Sequence, residues 1–366
     1  MNTRFNRIYQ ILENNNLDAI ALIPGSNFKY LTGGNFPLME RPTLFIITKN
    51  QNVAILPSLE VDSFNQLDID SKIISWHDKD GFNQAFKEAS KILGDIKNIG
   101  VEGQRIRFFE TQAFKDNFKE IEIINSHKEI SSIRLNKEQD EINILLEAIK
   151  ISEKSLDSTL NYIKLGMSEL QVKQFLIQEL YKNGAEGLSF DPIVLTGQNS
   201  ALPHGHSSNQ NMIKQGDTLL FDFGATIKSY KADITRTFFM IESDEYQRKA
   251  YETVRLANEI GIQKSKLPNS LHDVDHETTL ILENSDFEEF IVHKTGHGLG
   301  LDVHEDPYVV RGNDTKLEQG MVITVEPGLY IPQKFGIRIE DDVLITNDVP
   351  NVLTSFSKEL RIINNE

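Results

Sequence analysis

Carboxylates set into runs of β-branched and aromatic residues limit this chain more than any other feature. From Asp217 to Met240 the segment DTLLFDFGATIKSYKADITRTFFM reads as two strands joined by a short polar turn. Phe221 and Phe223 flank Asp222, and Ile234 follows Asp233, so the two-residue period of a strand sends the apolar side chains one way and both aspartates the other. A turn centred near Ile227 and Lys228 sets Asp222 and Asp233 directly opposite, with Cβ atoms about 5 Å apart. The device recurs in MVITVEPGLYIPQKFGIRIEDDVLIT, from Met321 to Thr346. There Glu326 lies on the outgoing run and Glu340 on the returning one, about a turn near Gln333, with Arg338 on the face of Glu340. One such acid fits a solvated strand face. Four, in two hairpins flanked by valine, isoleucine and phenylalanine, belong to a buried sheet, where ionised carboxylates repel unless a proton or a cation lies between them. The pattern predicts a metal centre.

Composition narrows the donors. With no cysteine, the chain has no disulfides, no thiolate metal sites and no cysteine nucleophile, and any metal must sit on oxygen and imidazole. The same lack of cysteine fits a reducing, cytoplasmic setting. A formal charge of −16, from 54 acidic and 38 basic residues, disfavours nucleic acid as a partner. No apolar run approaches the roughly 18 residues that cross a bilayer, so no membrane partner is expected. At 39 % hydrophobic and 25 % charged, the chain reads as globular, and its 366 residues suit two domains.

The halves differ in texture. Asp18–Ile23, Thr43–Thr48, Asn52–Leu56 and Lys72–Ser75 read as strands, with the amphipathic segment Phe82–Leu93 among the helical stretches between them. Two further apolar runs, at Asn98–Val101 and Glu120–Ile124, precede long helical periodicity over Asn136–Lys164 and Ser168–Lys182. This predicts a smaller α/β domain over residues 1–128 and a catalytic domain over 129–366.

Five of the nine histidines, His204, His206, His293, His297 and His304, lie after residue 200. His293 and His297 are four apart, the spacing of a zinc-binding helix. Gly296, Gly298 and Gly300 argue against a helix, and Lys294 stands where a zinc-peptidase helix needs glutamate. The glycines suggest tightly turning backbone or close approach of a ligand. They do not make a dinucleotide fingerprint, because the last spacing is wrong and no acidic ribose partner follows in a βαβ unit.

Taken together, Asp222, Asp233, His297, Glu326 and Glu340 resemble the five-ligand set of the pita-bread metallopeptidases. FDFGA, KADITRTF, GHGLGLDVHE, TVEPGLY and GIRIEDD are similar to that family's signature segments, and SNFKYLTG with LPSLE resembles a creatinase-type N-terminal domain. That domain points to the proline-directed branch, Xaa-Pro dipeptidase (prolidase) or aminopeptidase P. The implied fold is α+β: a pita-bread catalytic domain preceded by a smaller α/β creatinase-like domain.

The resemblance implies two divalent metal ions, manganese first and cobalt, zinc or iron as alternatives. Asp233 and Glu340 bridge them, Asp222 binds one, and His297 with Glu326 binds the other. It implies hydrolysis of the bond before proline by a metal-activated water, with Glu326 moving the proton and His204 and His304 as neutral donors at the substrate. His293 lines the pocket, Arg338 pairs with the site carboxylates, and Arg311 is the candidate clamp for a dipeptide's carboxylate. Xaa-Pro peptides are the expected substrates and a homodimer the expected assembly. The alternatives are a metal-dependent lyase or hydrolase of a small molecule on the same fold, and a metal-free binding scaffold, which retention of all five ligands disfavours.

Overall fold

The structure, a computed structural model, describes residues 3–365, so Met1, Asn2 and Glu366 of the two expected domains lie outside the described residues. It divides into two compact units, Met1–Arg134 and Leu135–Glu366. The division falls after Arg134 and not at 128. The helix His127–Ser131 and the 3₁₀ turn Ser132–Arg134 stay with the first unit, where Arg134 Nε donates to Asn27 Oδ1 at 2.6 Å and the Ile133 carbonyl accepts from Arg7.

The first unit is built on strands β1 (Ala19–Leu22), β2 (Leu44–Ile47), β3 (Asn52–Pro57), β4 (Lys72–Trp76), β5 (Asn98–Val101) and β6 (Glu122–Asn125). They form one mixed sheet in the order β4-β3-β2-β1-β5-β6. The central strands are continuous apolar runs buried along their length, as a sheet covered on both faces requires. Ala85, Phe86 and Ala89 of the helix Asn83–Leu93 pack with Phe114 on one face, and Phe28, Phe45 and Phe64 fill the other. Gly94, at φ 74°, ends that helix where its apolar spacing stops.

The second unit opens with two helices, Gln139–Tyr162 and Glu169–Lys182, which pack together. Ser168 caps the second helix, exchanging hydrogen bonds with Gln171 in a capping box. Its strands follow as β7 (Gly187–Leu188), β8 (Ile193–Thr196), β9 (Thr218–Phe223), β10 (Ala225–Ile227), β11 (Tyr230–Lys231), β12 (Ile234–Met240), β13 (Gly296–Gly298), β14 (Glu305–Val309), β15 (Val322–Val325), β16 (Gly328–Ile331), β17 (Phe335–Arg338), β18 (Asp341–Leu344), β19 (Asn351–Val352) and β20 (Ile362–Ile363). The main sheets run β20-β12-β9-β8 and β14-β13-β15-β18-β19. The helices Glu245–Lys264 and Leu271–Glu283 cover them through two apolar clusters, one around Phe239, Tyr251 and Ile337 and one around Leu271, Ile323 and Val343. Among the described residues no helix is long and apolar enough to cross a membrane.

Both acidic hairpins form, and one has a different register from that expected. Lys228 and Ser229, at φ 46° and 71°, make a two-residue turn between Ile227 and Tyr230. Positive φ at both central residues is the mirror-type turn whose twist matches that of the strands. The turn lies one residue beyond the expected centre, so Asp222 pairs with Thr235, and Asp233 sits diagonally across the ladder on the same face. The second hairpin turns about Gln333, at φ 62°, with Ile331 opposite Phe335. Its two ladder segments, β15–β18 and β16–β17, keep one register, and continuing it across the gap sets Glu326 opposite Glu340.

Lysine adopts the left-handed conformation reluctantly, whereas asparagine visits it readily. Lys228→Asn should therefore stabilise the second unit by up to about 1 kcal/mol. A thermal midpoint at or below wild type, measured by calorimetry, contradicts the turn assignment.

Candidate metal centre

Asp222 comes from β9, and Asp233 immediately precedes β12. Glu326 and Glu340 occupy the gaps between β15 and β16 and between β17 and β18, and His297 is the middle residue of β13. Asp233, His297 and Glu340 are buried, and Asp222 and Glu326 are partly so. Donor atoms of Asp222, Asp233 and Glu340 lie within 4.8 Å of one another, as do those of His297, Glu326 and Glu340. A third triad within the same limit joins Asp233, His297 and His304.

The glycines beside His297 admit neighbouring strands rather than a ligand. A Cβ at Gly296 would stand 2.0 Å from the Thr324 carbonyl oxygen, and one at Gly298 would stand 2.3 Å from that of Asp306. Only backbone without side chains fits between β14 and β15 there, and this fixes the strand from which the imidazole projects. His297 Nδ1 lies 3.0 Å from the Gly298 carbonyl oxygen, which can only accept, so Nδ1 carries the proton. Nε2 faces the acids, 3.2 Å from Glu326 Oε1 and 3.8 Å from Asp233 Oδ2: it donates to Glu326 when the ring is protonated and offers its lone pair to a cation when that proton leaves.

The buried cation at the centre is Arg338. Its guanidinium hydrogen-bonds Asp222, Tyr330 Oη and, through Nε at 3.0 Å, Thr235 Oγ1. Thr235 passes its own hydroxyl proton toward Glu340 Oε2 at 2.6 Å. Tyr330 Oη also meets His293 Nε2 at 2.9 Å, so His293 joins the centre through a tyrosine. Sequence reading missed Thr235 and Tyr330. The period of two from Asp233 points to Thr235, and Tyr330 lies within the TVEPGLY segment.

These bonds leave Asp222 Oδ1, Asp233 Oδ1 and Glu340 Oε1 buried with no hydrogen-bond partner among the described residues. Buried orphans are rare and demand an occupant. Burial pushes Asp233 well up, with Glu340 and Asp222 adding repulsion, and burial with Glu326 and Asp222 does the same to Glu340. Asp222 is raised by burial in spite of Arg338. Burial also pushes Glu326 upward, but His297, His293 and Arg338 outweigh it and bring its carboxyl down to about 2. Crowded acids with unused oxygens beside an imidazole lone pair fit hard divalent cations.

Three histidines border the cluster. His304 stands with its ring centroid 4.0 Å from that of His297, and desolvation together with His297 brings its pKa down to about 4. His293 is lowered by desolvation. His204 itself is exposed, just beyond the 3₁₀ turn Gly197–Ala201. Next to His304 in the chain, Glu305 forms a buried ion pair with Lys137 at 2.6 Å and accepts from the Asp302 N–H at 3.3 Å. Neither Lys137 nor Glu305 stood out in the sequence.

Arg311 is not brought to the centre. Its guanidinium is half-exposed and paired with Glu283 at 3.0 Å, on the helix Leu271–Glu283, and that carboxylate holds it protonated. The loop Val310–Asn313 turns its side chain to that helix, so the expected clamp finds no support in the geometry.

Comparison with known proteins matches residues 4–136 to the creatinase/prolidase N-terminal domain and residues 143–347 to metallopeptidase family M24. The Xaa-Pro dipeptidase of Pyrococcus horikoshii is 32 % identical over 98 % of this chain and 99 % of that protein. Among solved structures, a prolidase from Thermococcus sibiricus superposes with a TM-score of 0.92 at 32 % identity, covering 98 % of each chain. An X-Pro aminopeptidase from Thermotoga maritima superposes at 0.81 with 30 % identity, covering 97 % of this chain and all of that one.

Raised carboxyls make the folded protein without cations the better proton binder, so what Asp222, Asp233 and Glu340 contribute is greatest below their unfolded pKa values and is lost as pH rises through the folded ones. Glu326 has the opposite sign, its contribution being present above the unfolded value and lost as pH falls toward about 2. From the ordinary carboxylate range up to neutral pH, cations compete with protons for the three raised carboxyls and so bind better as pH rises. The gap in thermal midpoint between manganese-loaded and chelator-treated protein should widen by several degrees across that range. A gap that stays constant or narrows contradicts the crowded-carboxylate account.

Proposed function

The chain belongs to metallopeptidase family M24, with a creatinase/prolidase N-terminal domain ahead of the catalytic one, and from that premise we propose that it is a metal-dependent Xaa-Pro dipeptidase, hydrolysing the peptide bond that precedes proline. The observation that carries this is the pair of donor triads, Asp222–Asp233–Glu340 and His297–Glu326–Glu340, sharing Glu340. In this reading Asp233 and Glu340 would be shared by two divalent ions, Asp222 would help hold one of them, and His297 with Glu326 would hold the other. Bound there, the cations supply Lewis acidity toward the scissile carbonyl and bring the pKa of a water toward neutrality. Manganese suits four carboxylates and one imidazole without sulfur; cobalt, zinc and iron are the alternatives. The protein is proposed to work in the cytoplasm as a homodimer.

The chain's own groups divide the remaining work. Glu326, ionised at neutral pH, takes the proton from the attacking water and passes it to the leaving nitrogen. A bond to proline has no amide hydrogen, so the substrate offers no N–H at that position and must be held by its carbonyl and its ends. His304 is neutral at pH 7, which lets it donate an N–H beside the cluster without adding positive charge. His293 lines the pocket, its own N–H spent on the Lys294 carbonyl and its other ring nitrogen on Tyr330, and His204 is the second donor, from the loop after the 3₁₀ turn Gly197–Ala201. Arg338 keeps Asp222 and, through Thr235, Glu340 oriented toward the cations.

A panel of Xaa-Pro dipeptides and Xaa-Pro-Xaa tripeptides, assayed with manganese before and after chelation, tests the reading. Cleavage of dipeptides with loss of activity on chelation is expected. Preference for tripeptides assigns the protein to aminopeptidase P, and undiminished cleavage by demetallated protein removes the metal mechanism. Asp233→Ala should lower turnover about a thousandfold or more. His204→Ala and His304→Ala should keep both metals while turnover falls about a hundredfold, the cost of losing a donor at the developing charge. Loss of metal from His304→Ala would instead make His304 a ligand, as the third triad permits.

A further inference from the structure

One buried carboxylate outside the metal centre is surrounded by donors that no ligand role requires. Glu169 begins the helix Glu169–Lys182 and is fully buried. Its Oε1 accepts from the Thr196 N–H at 2.7 Å, and both oxygens accept from Asn199 Nδ2 at 2.9 Å. Its Oε2 also accepts from the Ser208 N–H and from Asn211 Nδ2, each at 3.0 Å. All of these donors are neutral, and a carboxylate held by several N–H groups and the start of a helix is stable without a cation.

The donors bracket a single loop. Thr196 and Asn199 lie at its entry, Ser208 and Asn211 at its exit, and Asn199 reaches across to the His206 carbonyl at 3.2 Å. Between them the chain makes a tight turn, with the Gly205 N–H donating to the Leu202 carbonyl at 3.0 Å, and His204 is exposed at its tip. Among the described residues the His204 side chain makes no hydrogen bond, whereas the foot of the loop makes many: Ser207 joins Val194, and Ser200 meets Thr218 and accepts from the Gly336 N–H. The four donor groups that bracket the loop converge on Glu169.

We propose that Glu169 is a positioning residue for the hydrolytic reaction, acting through His204 by holding the loop 196–211 closed at its foot. This rests on the reading of His204 as a group that meets the substrate. A glutamine of the same shape would turn an NH₂ toward N–H donors, and an aspartate would fall one methylene short, so neither restores the strap.

The test is a double-mutant cycle on the metal-loaded protein, with kcat and KM for an Xaa-Pro dipeptide, metal content, and amide hydrogen exchange over residues 197–211. Glu169→Gln should lower kcat about tenfold, leave two metals bound, change KM less than kcat, and speed exchange in that loop. In a His204→Ala background the same change should cost less than about twofold more, because the group it acts through is gone. Losses that multiply in the double variant, with His204→Ala itself impaired, overturn the positioning role alone. A His204→Ala variant with wild-type kcat overturns the reading of His204 and this inference with it. Should Glu169→Gln not fold, Asn199→Ala removes one donor from the same strap, and the identical cycle decides between the same outcomes.

Discussion

Repulsion among carboxylates held inside a protein is the constraint from which the rest of the second unit follows. Asp222, Asp233, Glu326 and Glu340 cannot move apart, because each is fixed by a strand or by the short gap between two strands. Arg338 is committed to Asp222, Thr235 and Tyr330, and this leaves Asp233 and Glu340 with oxygens that nothing described satisfies. Such an arrangement is unfavourable until cations enter, and a site that is poor without its metal is also selective for what can fill it. The apolar packing around Phe239, Ile323 and Ile337 holds the acids in that geometry.

Alternation along the strands keeps this charge from spreading. Thr235 and Glu340 face the centre, while their neighbours Arg236 and Asp341 face away and pair with each other at 2.7 Å, both buried. Burial pushes both acids upward. At Glu340 neighbouring acids add to the push, whereas at Asp341 the charges of Arg236 and Lys358 outweigh it and bring the carboxyl down. Adjacent carboxyls where the chain enters β18 are thus displaced in opposite directions, separated by nothing more than the side to which each residue points.

Much of this was legible in the amino-acid order because strand alternation and hairpin closure are local. The four acids, the second turn at Gln333 and the runs of the first sheet all rest on periodicity within a few residues, whereas His297 was picked out only through the resemblance of its glycine-rich segment to a family signature. The first turn was placed one residue early because Lys228 and Ser229 carry none of the usual glycine or asparagine signal for a mirror-type turn. The division after Arg134 was missed because its cause is a tertiary one, the hold of Asn27 on Arg134. The pairing of Arg311 with Glu283 was out of reach for a related reason: nearness in sequence to the histidine loop says nothing about which way a loop turns its side chain. Lys137, Glu305 and Glu169 were invisible, since each looks like an ordinary surface charge until the chain folds over it.

The ion pair between Lys137 and Glu305 joins residues 168 apart in sequence, and the bond from Thr235 to Glu340 spans 105. On a ribosome, the first unit has all six of its strands once residue 125 has emerged. The second unit enters with Lys137 and must wait for most of its own length before that ammonium finds its partner. Long-range closure of this kind slows folding and leaves strand edges open meanwhile. Synthesis from the amino end therefore delivers a finished scaffold first, and the acid-rich half closes last, when Glu340 has appeared.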